Sequence, residues 1–331
     1  MSTEISSHGL LDVNDAGVTL TVLGCGTMGI AILSGILTSL SSIRSSQATP
    51  SMSGTSTPVE ELPPRLPTRF VACVRRPASA RRIESALAAH TSSLTILQDE
   101  NLRGMQAADV VLLCCKPQMV SEILAPTPAL LVALRGKLLI SICAGVPVRQ
   151  IENILYAETH AGPERCRIVR AMPNTASFIQ ESMTVISTPT PPLPGPLAAL
   201  TTWIFTRIGR VVHLPAANMD ASTALCGSGP AFFALVLEAM ADGAVAMGLP
   251  RAEAQLMAAQ TMRGTAGLVL DGEHPALVRE KVGTPGGCTI GGLLVLEEGR
   301  VRGTVARAVR EATVVASQLG QGVQGVNGTR F

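Results

Sequence analysis

Aromatic side chains are almost missing from this sequence. One Trp, one Tyr and six Phe make up 2% of it, which removes the stacking platforms that bind single-stranded nucleic acid. Charge is scarce too. Charged residues account for 15% and the formal net charge is +2, too little to draw in a polyanion, so nucleic acid is not an expected partner. No C-x-x-C pair occurs among the cysteines, at 25, 73, 114, 115, 143, 166, 226 and 288. They lie in apolar runs or beside glycines and read as small core residues in a reducing compartment, not as a disulfide frame or metal site. Met1 to Gly17 carries Glu4, Asp12 and Asp15 and no apolar h-region, so no secretory signal is expected. No apolar stretch of membrane-spanning length escapes interruption by Gly, Ser or Pro. A cytoplasmic protein with no metal and no membrane partner is the expectation.

What is abundant is apolar surface. Hydrophobic residues reach 47% and the mean hydropathy is +0.35. In a chain of 331 residues, long enough for two domains, that excess points to surface buried in a homo-oligomer.

The chain opens with a strand-like run, Val18 to Leu23, then Gly24-Cys25-Gly26-Thr27-Met28-Gly29, then helical spacing from Ile30 to Leu40. Strand, G-x-G-x-x-G and helix is the arrangement that binds a dinucleotide pyrophosphate; the alternative is a tight β–α turn with no ligand. Ser41 to Pro67 is rich in Ser, Thr and Pro and reads as a disordered insertion. The next strand, Phe70 to Val74, ends in Arg75-Arg76-Pro77, with Arg81 and Arg82 beyond and no acid before Glu84. Guanidinium groups there suit the 2′-phosphate of NADP(H), although a solvated basic helix start would look the same. Three further strands are expected. Ala108 to Cys115 ends in Lys116-Pro117, Lys137 to Cys143 in Ala144-Gly145, and Arg167 to Met172 in Pro173-Asn174. Their carboxyl ends suit the lining of a ligand crevice, while Lys116 as a loop residue and Asn174 as a turn former remain alternatives.

Met183 to Ile186 and Arg210 to Leu214 complete the sheet residues, and from about Ala216 only helices are expected. Ala231 to Met247 is apolar nearly all round, which calls for burial at a subunit interface. Near the C-terminus, Val282 to Leu293 holds Gly283, Gly286, Gly287, Gly291 and Gly292, Pro285, and the hydroxyls of Thr284 and Thr289. A turn so rich in glycine can aim backbone N–H groups at a polar ligand, or can simply connect two helices. Gly320 to Phe331 reads as a flexible tail.

Together these segments resemble the pyrroline-5-carboxylate reductase family. The motifs that carry the resemblance are Gly24–Gly29, Cys115-Lys116-Pro117, Cys143-Ala144-Gly145-Val146, Met172-Pro173-Asn174-Thr175, Gly227-Ser228-Gly229-Pro230-Ala231 and Val282 to Glu297, in the family's order. The resemblance implies an α/β Rossmann-like N-terminal domain (18–215, with the 41–67 insertion) and an all-α dimerisation domain (216–319), flanked by residues 1–17 and 320–331. It implies reduction of (S)-1-pyrroline-5-carboxylate to L-proline, the last step of proline biosynthesis, with NADPH or NADH, in a homodimer that assembles further. Thr289 would hold the ring nitrogen, and Thr284, Gly286, Gly287 and Cys288 the carboxylate. Gly24, Cys25, Gly26, Thr27, Met28, Gly29, Arg75, Arg76, Cys114, Cys115, Lys116, Pro117, Ala144 and Asn174 would meet the cofactor. Departures from the family's pattern are Ala176 for a usual proline, Phe232 for a frequent tyrosine, Gly283 and Cys288 in the loop, and Ala216 or Ala217 for an acid before Asp220.

Hydride transfer to a C=N bond asks the protein mainly to orient two rings and supply electrostatics. Two other readings compete: a β-hydroxyacid-dehydrogenase-like oxidoreductase and a non-catalytic NADP(H) sensor. The first wants a lysine on the helix Ala231 to Met247, which carries only Glu238 and Asp242. The second would leave the Thr289 loop without a use.

Overall fold

The computed structural model describes residues 17–48, 62–157, 164–321, 323 and 326. The N-terminal 16 residues, the centre of the Ser/Thr/Pro-rich insertion (49–61), residues 158–163 and most of the tail lie outside the described residues.

Eight strands form one sheet: β1 (Val18–Leu23), β2 (Pro67–Val74), β3 (Leu94–Gln98), β4 (Val110–Leu113), β5 (Leu138–Ser141), β6 (Arg167–Met172), β7 (Ser182–Thr188) and β8 (Gly209–Pro215). Their order is β3-β2-β1-β4-β5-β6-β7-β8, with β7 antiparallel to β6 and the other neighbours parallel. Strand order therefore reverses between β1 and β4, where a doubly wound sheet opens a crevice at its carboxyl edge.

The strands run apolar on both faces because both faces are covered. Helices α1 (Thr27–Ala48), α2 (Pro77–Ala86), α3 (Asn101–Ala107), α4 (Val120–Ile123), α5 (Pro128–Leu134), α6 (Val148–Tyr156) and α7 (Gly195–Thr206) supply the cover. Leu20, Val22, Leu112 and Ile140 face Ile32, Ile36, Trp203 and Phe205 of α1 and α7. Leu23, Val111, Leu113 and Leu139 face Met105, Leu130 and Ile151. That alternation along each strand is the period of two that divides a sheet into two core layers.

Two expectations need correction. β3 was not expected, and α1 continues to Ala48, well into the segment read as disordered. The buried part of α1 ends at Leu40; beyond it the helix runs on over exposed Ser41, Ser42 and Ser45, whose hydroxyls donate to the carbonyls of Leu37, Thr38 and Ser41. A Cβ on Gly35 would lie 2.6 Å from the Arg207 carbonyl oxygen just past α7.

Beyond β8 come α8 (Met219–Ser222), a π-helical turn at Thr223–Gly227, α9 (Gly229–Ala246), α10 (Arg251–Leu270), α11 (Pro275–Val282), α12 (Cys288–Glu298) and α13 (Val301–Gly320). Helix α13 packs on α8 and the π-helical turn, and its end reaches Gly145 of the sheet domain. Helices α9 to α12 stand apart. The apolar helix at 231–247, expected to be buried at a subunit interface, is not covered within one chain: across α9 to α11 only Gly229, Ala241, Ala254, Ala258 and Val278 are buried, and in α12 nothing is. Leu235, Leu256 and Val295 are 67%, 70% and 66% exposed. An apolar face of that extent marks an interface.

Two stretches, Thr27–Ser45 and Ala216–Ala246, are long and apolar enough to cross a membrane by length and composition, contrary to the reading that glycine and serine would interrupt every such run. In the first, half of the residues are buried against the sheet domain.

Because Gly35 has no room for a methyl group, Gly35→Ala should destabilise the sheet domain by about 1–3 kcal/mol through overpacking. A urea midpoint that moves down measures it; an unchanged midpoint would show that α1 and α7 do not approach this closely.

Candidate active site

The turn after β1 is tied to β2 through its backbone. The N–H groups of Gly24 and Cys25 donate to the Cys73 carbonyl at 3.1 and 3.0 Å, and the Gly26 N–H donates to the Gly24 carbonyl at 2.7 Å. Gly24 has φ +71° and its Cβ position falls 2.8 Å from Cys115 Cα, so both conformation and space demand glycine. Gly29 packs on β1, with its Cβ position 3.0 Å from Val22 Cγ1. Gly26 differs. A Cβ there would meet only the Gly24 carbonyl, at 3.8 Å, and φ is ordinary. No intramolecular contact requires this glycine, which fits a pyrophosphate approaching the bare backbone at the start of α1. Cys25 turns its thiol into the core, where burial pushes its pKa up to about 12, and so offers a ligand only its backbone.

At the β4 end, Cys115 is buried and Lys116 is exposed, leading into the turn Pro117–Met119. Ala144 is exposed after β5. Burial raises the Cys114 pKa well above its usual value, with Cys25 and Cys143 adding to the effect. Asn174, after β6, is buried and fully engaged: Nδ2 donates to the Cys226 carbonyl at 3.0 Å and Oδ1 accepts from the Ala176 N–H at 3.0 Å. It braces the sheet edge against the π-helical turn.

The arginines divide their work in a way the sequence does not reveal. Arg75 lies 3.8 Å from Glu122, both exposed. Arg82, one face of α2 further on, reaches back to Thr27 Oγ1 at 3.3 Å, which places its guanidinium at the mouth of the Gly-rich turn. Arg170, on β6, was also passed over. It is 5% exposed and its Nη2 has no partner; burial lowers its pKa, opposed by Asp220 and Cys143. Its signal in the sequence is a lone cation inside the apolar run Ile168 to Met172.

The glycine-rich stretch is not one loop. Thr284-Pro285-Gly286-Gly287 forms a tight turn, with the Gly287 N–H donating to the Thr284 carbonyl at 3.0 Å and Gly286 at φ +68°. Pro at the second and Gly at the third position are what a type II turn needs. A Cβ on Gly287 would strike Thr284 Oγ1 at 2.5 Å. Helix α12 then starts at Cys288, so Thr289 lies in its first turn, and Gly291 and Gly292 are inside the helix. The first N–H groups of α12 have no intrahelical acceptor and carry the positive end of the helix dipole. Cys288 is exposed, unlike the core residue expected.

The carboxyl ends of β1, β4, β5 and β6 are thus neighbours along one edge of the sheet. The Thr284–Thr289 segment does not join them in the same chain: α11 and α12 pack chiefly on α10 and α13.

The family described as pyrroline-5-carboxylate reductase dimerisation matches residues 216–319, and the one described as coenzyme F420-dependent NADP oxidoreductase matches 19–145. A pyrroline-5-carboxylate reductase of Lophium arboricola is 64% identical over 95% of this chain and 97% of its own length. One of Neurospora crassa is 58% identical over 95% and 96%. Among solved structures, a pyrroline-5-carboxylate reductase of Coxiella burnetii superposes with TM-score 0.72 at 26% identity, covering 92% of this chain and 99% of its own.

Since the fold does not require Gly26 but a bound dinucleotide would, Gly26→Ala should leave the melting temperature unchanged and weaken NADPH binding about tenfold or more, the loss of roughly one backbone contact. Equal affinities by fluorescence titration would remove the turn from the cofactor site.

Proposed function

The chain belongs to the pyrroline-5-carboxylate reductase family, and we propose that it reduces (S)-1-pyrroline-5-carboxylate to L-proline with NADPH, NADH being the alternative donor, in a site completed by two copies of the chain. The observation that carries this reading is the position of Thr289 in the first turn of α12, behind a glycine turn that leaves the helix N-terminus open. The bound dihydronicotinamide would supply hydride to the imine carbon. What the chain supplies is placement. The free N–H groups of Cys288, Thr289 and Ile290, with the Thr284 hydroxyl, suit the substrate carboxylate. Thr289 Oγ1 accepts the N–H of the protonated imine and fixes the ring; a hydroxyl does not act alone as an acid at neutral pH. Lys116, Pro117 and Ala144 border the nicotinamide side, and Asn174 holds that edge rigid.

We assign the two halves of each site to different copies because α9 to α12 leave their apolar faces open and α12 is packed away from its own crevice. A homodimer covers those faces, and assembly of dimers into a larger ring uses what remains. The cysteines, all free thiols, suit the reducing cytoplasm, where we place the protein.

Thr289→Ala should lower kcat/KM by about 10–100-fold, roughly 1–3 kcal/mol of transition-state contact, read from NADPH consumption with pyrroline-5-carboxylate. Mixed with Gly26→Asp chains, it should recover activity in heterodimers that hold one intact site. Unchanged kinetics would sink the role of Thr289, and a mixture no better than its parts would put both halves in one chain.

Arg75 is drawn towards Glu122 while Arg82 faces the turn, so we assign the 2′-phosphate chiefly to Arg82, with Arg76 beside it. Arg82→Ala should raise the Kd for NADPH about tenfold and spare NADH, consistent with the loss of one charged hydrogen bond. A larger effect from Arg75→Ala would reverse the assignment.

A further inference from the structure

Two thiols that the proposed reaction does not use face each other at the end of the sheet. Cys115 and Cys143 continue the parallel register that pairs Leu113 of β4 with Ser141 of β5. Their sulfurs lie 3.8 Å apart, and both side chains are buried. Among the described residues no other pair of sulfurs is within hydrogen-bond reach. Neighbouring strands run about 4.8 Å apart, inside the Cα separation that a disulfide spans. Side-chain rotation is then the main change needed to bring the sulfurs to about 2.05 Å.

The surroundings give the two sulfurs different roles. The Cys143 Sγ lies 3.3 Å from the Cys115 carbonyl oxygen and 3.6 Å from that of Leu113, to which its S–H donates, while the hydrogen bond between the two sulfurs can run in either direction. That shared bond, the Ser141 hydroxyl and the Arg170 charge favour the Cys143 thiolate against burial, and the shared bond and burial disfavour that of Cys115. We assign the attack to Cys143 on that basis, since the thiolate is the reactive form. The pair also lies one residue beneath the surface, because Lys116 and Ala144 are exposed.

We propose that Cys115 and Cys143 are an oxidative modification site, forming a reversible intrachain disulfide with hydrogen peroxide that loosens the dinucleotide turn. The Cys143 thiolate attacks one peroxide oxygen; the S–O bond forms as O–O breaks, giving a sulfenic acid and hydroxide, which takes up a proton as water. Cys115, losing its proton, attacks that sulfur; S–S forms as S–O breaks, and the hydroxide leaves with the proton as a second water. Two thiols lose two electrons and one peroxide gains them. The link to the turn is steric. The Cβ position on Gly24 falls 2.8 Å from both Cα and Cβ of Cys115, so Cys115 backs directly onto Gly24, and the backbone adjustment that accompanies the new bond, small beside the side-chain rotation, is passed to the turn. This second half rests on the reading of the turn as the cofactor site.

The test uses the reduced full-length chain, exposed to peroxide, alkylated and mapped by tandem mass spectrometry without reduction. A mass loss of about 2 Da (two hydrogens leave with the peroxide), carried by a Cys115–Cys143 linked peptide and reversed by dithiothreitol, is the expected result. The Kd for NADPH should rise with it, roughly threefold or more, and recover on reduction. Cys143→Ser should lose the 2 Da change; if that variant does not fold, the map of the unaltered chain still decides. Free, alkylatable Cys115 and Cys143 after the exposed Cys288 has been oxidised would overturn the proposal, as would sulfinic acid at either without a link, or a link through Cys114. A correct link with unchanged affinity would overturn the coupling to the turn. A reduced chain that binds no NADPH would instead sink the reading of the cofactor site and leave the disulfide standing.

Discussion

Helices α9 to α12 carry more apolar surface than one chain can cover, and the rest of the molecule is arranged around that fact. Leu235, Leu256, Leu268, Leu270, Leu294 and Leu296 are all exposed. Burying each fully is worth about 1.5–3 kcal/mol. With about half or more of each still exposed, the six together leave a gain of the same order as the net stability of a whole domain. Folding of the helical half and association with a second copy are therefore hard to separate, as in obligate dimers whose monomer has no stable fold. The sheet domain carries no such debt, since its two layers close on α1, α7 and α3 to α6 within the chain. Between the halves, α13 acts as the fastener. Its C-terminal end lies against Gly145, where a Cβ on Gly320 would come within 2.8 Å of the Gly145 carbonyl oxygen.

That division decides which parts were legible in the sequence. β1, the Gly24–Gly29 turn and the start of α1 were readable because glycine at those spacings has few other uses beside a strand, and local geometry bears this out. The strand positions of β4, β5 and β6 followed from uninterrupted apolar runs. β3 escaped notice because only Leu97 of its five residues is fully buried; an edge strand half in water carries little alternation to read. The end of α1 lies further on than its sequence suggests because the exposed serines of its last turns fold their hydroxyls back onto carbonyls four residues earlier, leaving in the sequence only a serine-rich stretch that propensity alone would penalise.

The candidate site was legible in its residue types more than in its geometry. Asn174 reads in sequence as a crevice residue, but its amide is spent on Cys226 and Ala176, so its contribution is rigidity. Arg75 and Arg76 stand at the strand end, where the 2′-phosphate rule looks for a basic group, while Arg82 reaches the turn only because α2 folds back over it. Contacts between segments 55 residues apart leave no periodic trace. The same holds for Cys115 and Cys143, which look like two core residues until parallel register puts them side by side.

The glycine-rich C-terminal stretch shows most clearly what geometry adds to composition. In sequence its glycines read as one turn between helices, yet Gly286 and Gly287 serve a turn, whereas Gly291 and Gly292 lie inside α12. A loop hydroxyl would have to be ordered anew for each substrate. A hydroxyl in the first turn of a helix is already ordered, and it shares its element with the N–H groups that face outward from the helix N-terminus. In the proposed site one rigid end would meet both polar ends of a small zwitterionic ring, carboxylate at the backbone and nitrogen at Thr289, so that the remaining freedom would be rotation of the ring about that axis. The crevice of a facing copy closing over it would remove that freedom too, and on this proposal the apolar faces of α9 to α12 would also set the geometry of hydride transfer.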